Sequence, residues 1–391
     1  MERAELKALV RAMGCAEERG ETVLLCDPRW GAAERAPVRA LAMTGTAVDD
    51  GWLGVPTGGT SGGLKFARHD ERTLGAAAAG FVAHFGVERV NAVDVLPPFH
   101  VSGLMARVRC AVTGGTHVAW DWRRLEAGER PVVARARGDW MISLVPTQLQ
   151  RLLASEAAVA WLRGFRVIFL GGGPAWGALT DAAAKAELPV ALSYGMTETA
   201  AMVTALKPDE FLAGERSAGS PLPHARVTVD AAGLIGVEGA SLFLGYMPER
   251  RAQRFLVTED LGEFDARGRL RVLGRRDAVI ITGGEKVNPL EVEAALRATG
   301  EFADVAVVGV PDAEWGEAVV ACYPAGGVAP DKVKIEHVIN RHLSAYKRPK
   351  RYVAVADWPR NAQGKVNRVL LRLRAAEDVA GVEKRLPRPV K

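Results

Sequence analysis

Apolar positions recur at helical spacing over residues 71–87, ERTLGAAAAGFVAHFGV, where Leu74, Ala77, Ala78, Phe81 and Phe85 share one side of a buried helix. Short apolar runs follow, each ending in turn or polar residues: NAVDVLPPFH at 91–100, FRVIFLGGGP at 165–174 and LPVALSYGMTE at 188–198. Strands that stop at such loops are how parallel sheets build sites, at the strands' C-terminal ends. Between the runs lie helical stretches, PTQLQRLLASEAAVAWLRG at 146–164 and AWGALTDAAAKA at 175–186. The alternation predicts an α/β fold. Residues 1–50 carry weak signals and read as helix and loop.

After about residue 215 the texture changes. Residues 225–246 and 262–281 read as short strands joined by glycine turns, a β-rich portion. From about residue 290 an α+β pattern resumes: helix at 290–300, strands at 303–311 and 318–324, helix at 334–344, strand at 351–359. That is material for a small separate domain of roughly 100 residues. The boundary is expected in GRRDAV, near Asp277, giving a large N-terminal α/β domain over 1–276 and a small mobile α+β domain over 277–391. The charged, proline-bearing tail at 375–391 is expected to fray.

Composition narrows the class. Hydrophobic residues make up 48% of the 391, enough for real cores, yet no run nears the roughly 20 apolar residues that cross a bilayer. The start, MERAELKALVRAMG, mixes charges with apolar residues and lacks the layout of a secretory signal. A cytoplasmic protein with no membrane insertion is expected. Cys15, Cys26, Cys110 and Cys322 are too scattered for metal or redox spacing and read as free thiols. The net charge of +5 is interleaved with acids, and no basic–aromatic module appears, so no nucleic-acid partner is expected. Small anionic ligands such as nucleotides explain the excess equally well.

One segment carries chemistry by itself. VPTGGTSGGLKF offers Thr57, Gly58, Gly59, Thr60, Ser61, Gly62 and Gly63, then Lys65. Glycines let backbone N–H groups converge on phosphate oxygens, hydroxyls add donors, and lysine adds a point charge. It is not a Walker A loop, because Leu64 precedes the lysine and Phe66 follows it. Alone it reads either as a phosphate cradle or as a plain surface loop. Four further segments follow in order: VLPPFHVSGL, LSYGMTETA, TEDLGEFDARGRLRVLGRRD with ITGGEKVNPLEVE, and PRNAQGKVNR. Together, over residues 55–370, they resemble the adenylate-forming superfamily of acyl-CoA synthetases, luciferases and peptide-synthetase adenylation domains.

The resemblance implies a reaction. A carboxylate oxygen attacks the α-phosphorus of ATP, pyrophosphate leaves, and the acyl group passes to coenzyme A. Two anions must be brought together, which demands charge neutralisation and geometry. By resemblance, Thr57, Gly58, Gly59, Thr60, Ser61, Gly62 and Lys65 cradle the β and γ phosphates. Glu198 is the magnesium carboxylate, and Thr197 touches the α-phosphate. Tyr194 stacks on adenine beside Gly195, with the Gly171–Gly172–Gly173–Pro174 turn closing the other side. Asp260 accepts the ribose hydroxyls, Arg275 reaches ribose or phosphate, and Glu259 stands where the family usually has glycine. His100 lies near the acyl carboxylate, and Lys365 is the mobile catalytic lysine. Asp277 matches the hinge about which the small domain rotates between half-reactions. Thr282, Gly283, Gly284 and Glu285 match the loop lining the pantetheine tunnel. Lys347, Arg348, Lys350 and Arg351 form a basic run open to the nucleotide end of CoA or to solvent alone.

Local wording, in PTGGTSG with KFARH, VPTQLQRLL, LGGGPAW and SYGMTETAAM, is similar to the o-succinylbenzoate–CoA ligases of menaquinone and phylloquinone synthesis. Most relatives carry roughly 100 more residues ahead of the phosphate loop, about one small domain, so an abbreviated N-terminal part is expected. An aromatic keto-dicarboxylate needs an apolar slot and a donor for the carboxylate that is not activated. Ser102, Gln148, Ser193 and Thr199 are the candidate donors, and no arginine is placed in the pocket. Another aryl- or acyl-CoA ligase, an enzyme loading a carrier protein in trans, and an inactive nucleotide binder stay open as alternatives.

Overall fold

The computed structural model describes all residues except 33–34, 42–50, 59–63, 134–139, 250, 252–253, 327–328, 361–365 and 386–391; the side chains of 19, 37, 39–40 and 379–385 are also left aside. The chain divides into two compact units. The first comprises 1–175, 179–258 and 262–272; the second comprises 176–178, 259–261 and 273–391.

In the first unit, a seven-stranded sheet runs in the spatial order 220–221, 201–205, 190–196, 167–170, 140–144, 91–94, 117–119. The last five are parallel neighbours, and the first two pair antiparallel at one edge. Helix Glu71–Phe85 packs here because its apolar side chains repeat every three or four positions. Asp70 caps it, accepting from the N–H groups of Arg72 and Thr73, and Gly86 ends it in the left-handed region at φ 59°. Phe81 joins Val90, Ala92, Ala106, Met141, Val167 and Phe169 in one core between this helix, helix Val101–Val112 and the sheet. A second core gathers Leu6, Val10, Leu25, Trp52, Leu53, Leu74, Leu104 and Met105. Two further sheets are four-stranded, one from 16–19, 22–25, 53–58 and 64–69, the other from 225–229, 234–239, 255–264 and 270–275.

The second unit folds around a sheet of strands 285–287, 280–282, 316–324 and 306–312, with 351–355 pairing parallel to 316–324. Helices Pro289–Ala298 and Lys332–His342 bury Val292, Leu296, Ile335 and Ile339 in one cluster. Helix Arg368–Arg385 places Leu371 and Ala375 in another.

Three expectations change. Residues 1–50 contain a hairpin, Ala16–Arg19 against Thr22–Leu25, besides helix Arg3–Arg11. Its four-residue strands are too short to show a period. The stretch 146–164 is two helices, because Ser155 interrupts it and caps the second by accepting from Ala158 N at 3.3 Å. The tail is helical through Arg385, an extension of a helix anchored by Leu371 and Ala375. The four cysteines are free and buried. Among the described residues no helix is long and apolar enough to cross a membrane.

Candidate active site

Strands Leu53–Gly58 and Leu64–His69 flank the glycine-rich loop as an antiparallel pair. Register sets Thr57 opposite Lys65 and Gly58 opposite Leu64, so loop entry and exit are held side by side. Thr57 Oγ1 donates to Glu198 Oε1 at 3.3 Å, across 141 positions of sequence. The Tyr246 hydroxyl donates to the same oxygen at 2.7 Å. Lys65 Nζ lies 5.3 Å from the centroid of the Tyr246 ring. Glu198 is 8% exposed, and a polar group so buried is costly unless hydrogen-bonded, as these donors provide. Burial, and then the Glu198 charge, push the Tyr246 phenol above its ordinary range, so it remains a proton donor.

This donor set suits magnesium. Among the described residues no three His, Cys, Asp or Glu side chains form a metal cluster. Magnesium is bound through one or two carboxylates, with waters and substrate phosphates, rather than by an all-protein cage. Glu198 beside the glycine-loop hairpin fits that pattern.

Glu198 rides on a 3₁₀ turn, Thr197–Thr199, at the end of strand Val190–Met196. The Thr197 carbonyl faces His69 Nε2 at 2.9 Å, and Phe243 N–H donates to the Glu198 carbonyl at 2.8 Å. Thr199, named above as a candidate donor, is fully buried, and its hydroxyl lies 2.6 Å from Ala201 O and 3.0 Å from Met196 N, inside the turn. Gly195 sits where a Cβ would approach Ala201 O to 2.0 Å. Tyr194 is buried with Val203, Val227, Ile235 and Leu242. The turn through Gly171, Gly172 and Gly173 follows strand Val167–Leu170, with a Cβ on Gly171 lying 3.2 Å from Ser193 Oγ.

His100 stands at the N-cap of helix Val101–Val112, its ring 4.5 Å from that of Phe99, and Ser102 lies half-buried in the first turn. Gln148 uses its side-chain oxygen to accept from Val145 N at 3.0 Å.

In the second unit, Arg275 meets Asp260 at 3.3 Å and is forked by Asp277 at 2.8 Å. Those partners, the Asp277 hydrogen bond foremost, push its pKa up. Glu259, the extra acid, is matched by Arg276 at 2.6 Å. Gly283 and Gly284 turn the chain at φ 57° and 83°, conformations costly for other residues. Of the basic run, Lys347 pairs with Glu291 at 2.7 Å and Arg348 donates to Leu343 O at 3.0 Å. Lys365 and the loop residues Gly59, Thr60, Ser61 and Gly62 lie outside the described residues.

Three residues escaped the sequence reading. Tyr246 and His69 meet the site through groups far along the chain, the Glu198 carboxylate and the Thr197 carbonyl, which no local pattern reveals. Arg109 carried a local signal, a charge among the buried positions Leu104, Met105, Val108 and Cys110 of its helix. It is 5% exposed, with its guanidinium 4.2 Å from the Phe81 ring centroid. It lines a cavity of about 10 Å³ with Phe81, Val93, Met141, Ser143 and Phe169, room for about one water molecule. Among the described residues no carboxylate pairs with it, and burial pushes its pKa down to about 10.

The model of the AMP-binding enzyme family matches residues 13–247, and that of the AMP-binding enzyme C-terminal domain matches 291–365. The chain belongs to the AMP-binding enzymes. A 2-succinylbenzoate–CoA ligase of Geobacillus kaustophilus (strain HTA426) is 34% identical over 333 residues, 80% of this chain and 67% of that relative. Among solved AMP-binding enzymes, the Bacillus subtilis o-succinylbenzoate CoA synthetase with its acyl-adenylate intermediate superposes with a TM-score of 0.72 at 28% identity, covering 89% of this chain and 77% of that one. The same synthetase with ATP and magnesium gives 0.68 at 28%, covering 83% and 70%.

Proposed function

We propose that this chain is an ATP-dependent acid–CoA ligase that converts 2-succinylbenzoate to its CoA thioester in menaquinone synthesis. The carrying observation is that Thr57 bonds Glu198 from a distant segment, while Lys65, paired with Thr57 across the hairpin, lies over the Tyr246 ring whose hydroxyl bonds the same carboxylate. Lys65 and the loop hold the β and γ phosphates, and Thr197 meets the α-phosphate. The substrate carboxylate oxygen attacks the α-phosphorus, the bond to the β-phosphate bridge breaks, and pyrophosphate departs. Lys365 neutralises charge gathering on the reacting oxygens. CoA sulfur then attacks the acyl carbon, and AMP leaves. Magnesium, held through Glu198, would supply charge neutralisation at the phosphates. Asp260 and Arg275 serve the ribose, Asp277 the hinge, and Gly283–Gly284 the pantetheine path, with the domain boundary near 276–277 of the sequence.

Arg109 supports the dicarboxylate. A buried cation is costly without a counter-ion, none is found for Arg109 among the described residues, and a ligand carboxylate would match it. A cavity of about 10 Å³ admits an aryl acid only if neighbouring side chains turn aside. We place the enzyme in the cytoplasm, where four free thiols persist. The test supplies ATP, magnesium, CoA and 2-succinylbenzoate beside benzoates and fatty acids, and follows pyrophosphate and thioester. Selective turnover of the dicarboxylate is expected. Turnover only of another acid overturns the substrate, and pyrophosphate from none overturns the ligase.

A further inference from the structure

The turn that carries Glu198 is followed by two non-glycine residues in the left-handed region, Ala200 at φ 51° and Ala201 at φ 84°. Such backbone persists only when its surroundings over-determine it. Thr199 bonds within the turn, and Phe243 N–H secures the Glu198 carbonyl. The Thr197 carbonyl is secured by a side chain from another sheet, that of His69. A carbonyl only accepts, so His69 Nε2 carries the proton. Nδ1 is then the acceptor facing Thr73 Oγ1 at 3.1 Å. Thr73 belongs to the first turn of the helix capped by Asp70, so the ring is held from both sides.

His69 also ends the strand that Lys65 nearly begins. Four steps at about 3.3 Å each make that strand a spacer of roughly 13 Å. One end carries the phosphate lysine, and the other grips the turn bearing Glu198.

We propose that His69 is a positioning residue: its Nε2–H to the Thr197 carbonyl sets the Glu198 carboxylate where a phosphate-bound divalent cation is received. This rests on reading Glu198 as the magnesium ligand. Complete burial keeps the ring neutral, with a pKa near 4, so the bond persists across the physiological range.

The test pairs two variants. His69→Gln can place an amide N–H where Nε2 lies, whereas His69→Asn is too short to reach Thr197. Binding of Mn²⁺ in the presence of ATP is followed by electron paramagnetic resonance, beside melting temperature and each half-reaction. His69→Asn is expected to weaken Mn²⁺ binding about tenfold or more and to slow pyrophosphate release, while sparing thiolation of supplied acyl-adenylate. His69→Gln should stay within about threefold of wild type. Should His69→Asn fail to fold, His69→Met fills the space without a donor and takes its place. Wild-type Mn²⁺ affinity in the donor-less variant overturns the proposal. So does equal loss in both variants with a parallel fall in melting temperature, which marks a structural role. Glu198→Gln in the same titration separates the underlying reading: unchanged Mn²⁺ affinity there removes the metal assignment itself.

Discussion

Arg109 shows how differently one residue can weigh on stability and on binding. Its charge is buried, stacked on Phe81 and unpaired among the described residues. Replacing an uncompensated buried charge with an apolar side chain is often neutral or stabilising. Arg109→Leu is therefore expected to keep or raise the melting temperature. A charge-assisted hydrogen bond contributes about 1.5–3 kcal/mol, so KM for the dicarboxylic acid should rise roughly 10- to 100-fold. A matched acid lacking the second carboxylate should show no such change, which steady-state kinetics with the pair will reveal. Glu198, Thr57 and Lys65 were legible in the sequence because each lies in a contiguous motif. Tyr246 and His69 were not, since their meaning comes from a carboxylate 48 positions away and a carbonyl 128 positions away.

Helix Glu71–Phe85 was readable in outline from Leu74, Ala77, Ala78 and Phe81, all buried. What the pattern hid is why position 80 is not one more alanine. A Cβ on Gly80 would lie 1.8 Å from His224 Nδ1, a ring arriving from beyond residue 220. Gly80→Ala gains about 0.8–1 kcal/mol of helix propensity but overpacks a site where such insertions cost about 1–3 kcal/mol. Net destabilisation of about 1 kcal/mol is expected, measured by urea unfolding. Elsewhere, hydrophobic period failed where elements were short: the Ala16–Leu25 hairpin went unseen, and the break at Ser155 was marked by one capping hydroxyl.

At the scale of the molecule, burial holds His69 and His224 each near pKa 4, against about 6.5 when unfolded. His84 and Arg109, on two neighbouring helices, oppose a charge on His224 further. Below pH 6.5 the unfolded chain takes up protons that the folded chain refuses. Stability is thus fully present above that pH and is lost as pH falls toward 4. The melting temperature should drop between pH 7 and 4.5, and His224→Gln should flatten that limb by on the order of 1–2 kcal/mol. The change of texture after residue 215 was legible, but a single cut was not the whole division, since 176–178 and 259–261 cluster with the second unit. Strand Phe255–Phe264 contributes to both units, which linear composition does not reveal. Lys365→Ala is expected to abolish adenylation while largely sparing thiolation of supplied acyl-adenylate; half-reactions assayed separately will show whether both fall together.

The buried thiols turn the molecule into its own unfolding gauge. Cys15, Cys26 and Cys110 belong to the first unit and Cys322 to the second. Burial pushes all four upward, to about 11 or 12, so the folded protein presents almost no reactive thiolate. Alkylation must then wait for each unit to open. Peptide mapping after timed iodoacetamide exposure in rising urea should return one labelling curve shared by three cysteines and another for the fourth. Separate midpoints would mean that the two halves melt independently, and a common one that they unfold as a single cooperative body.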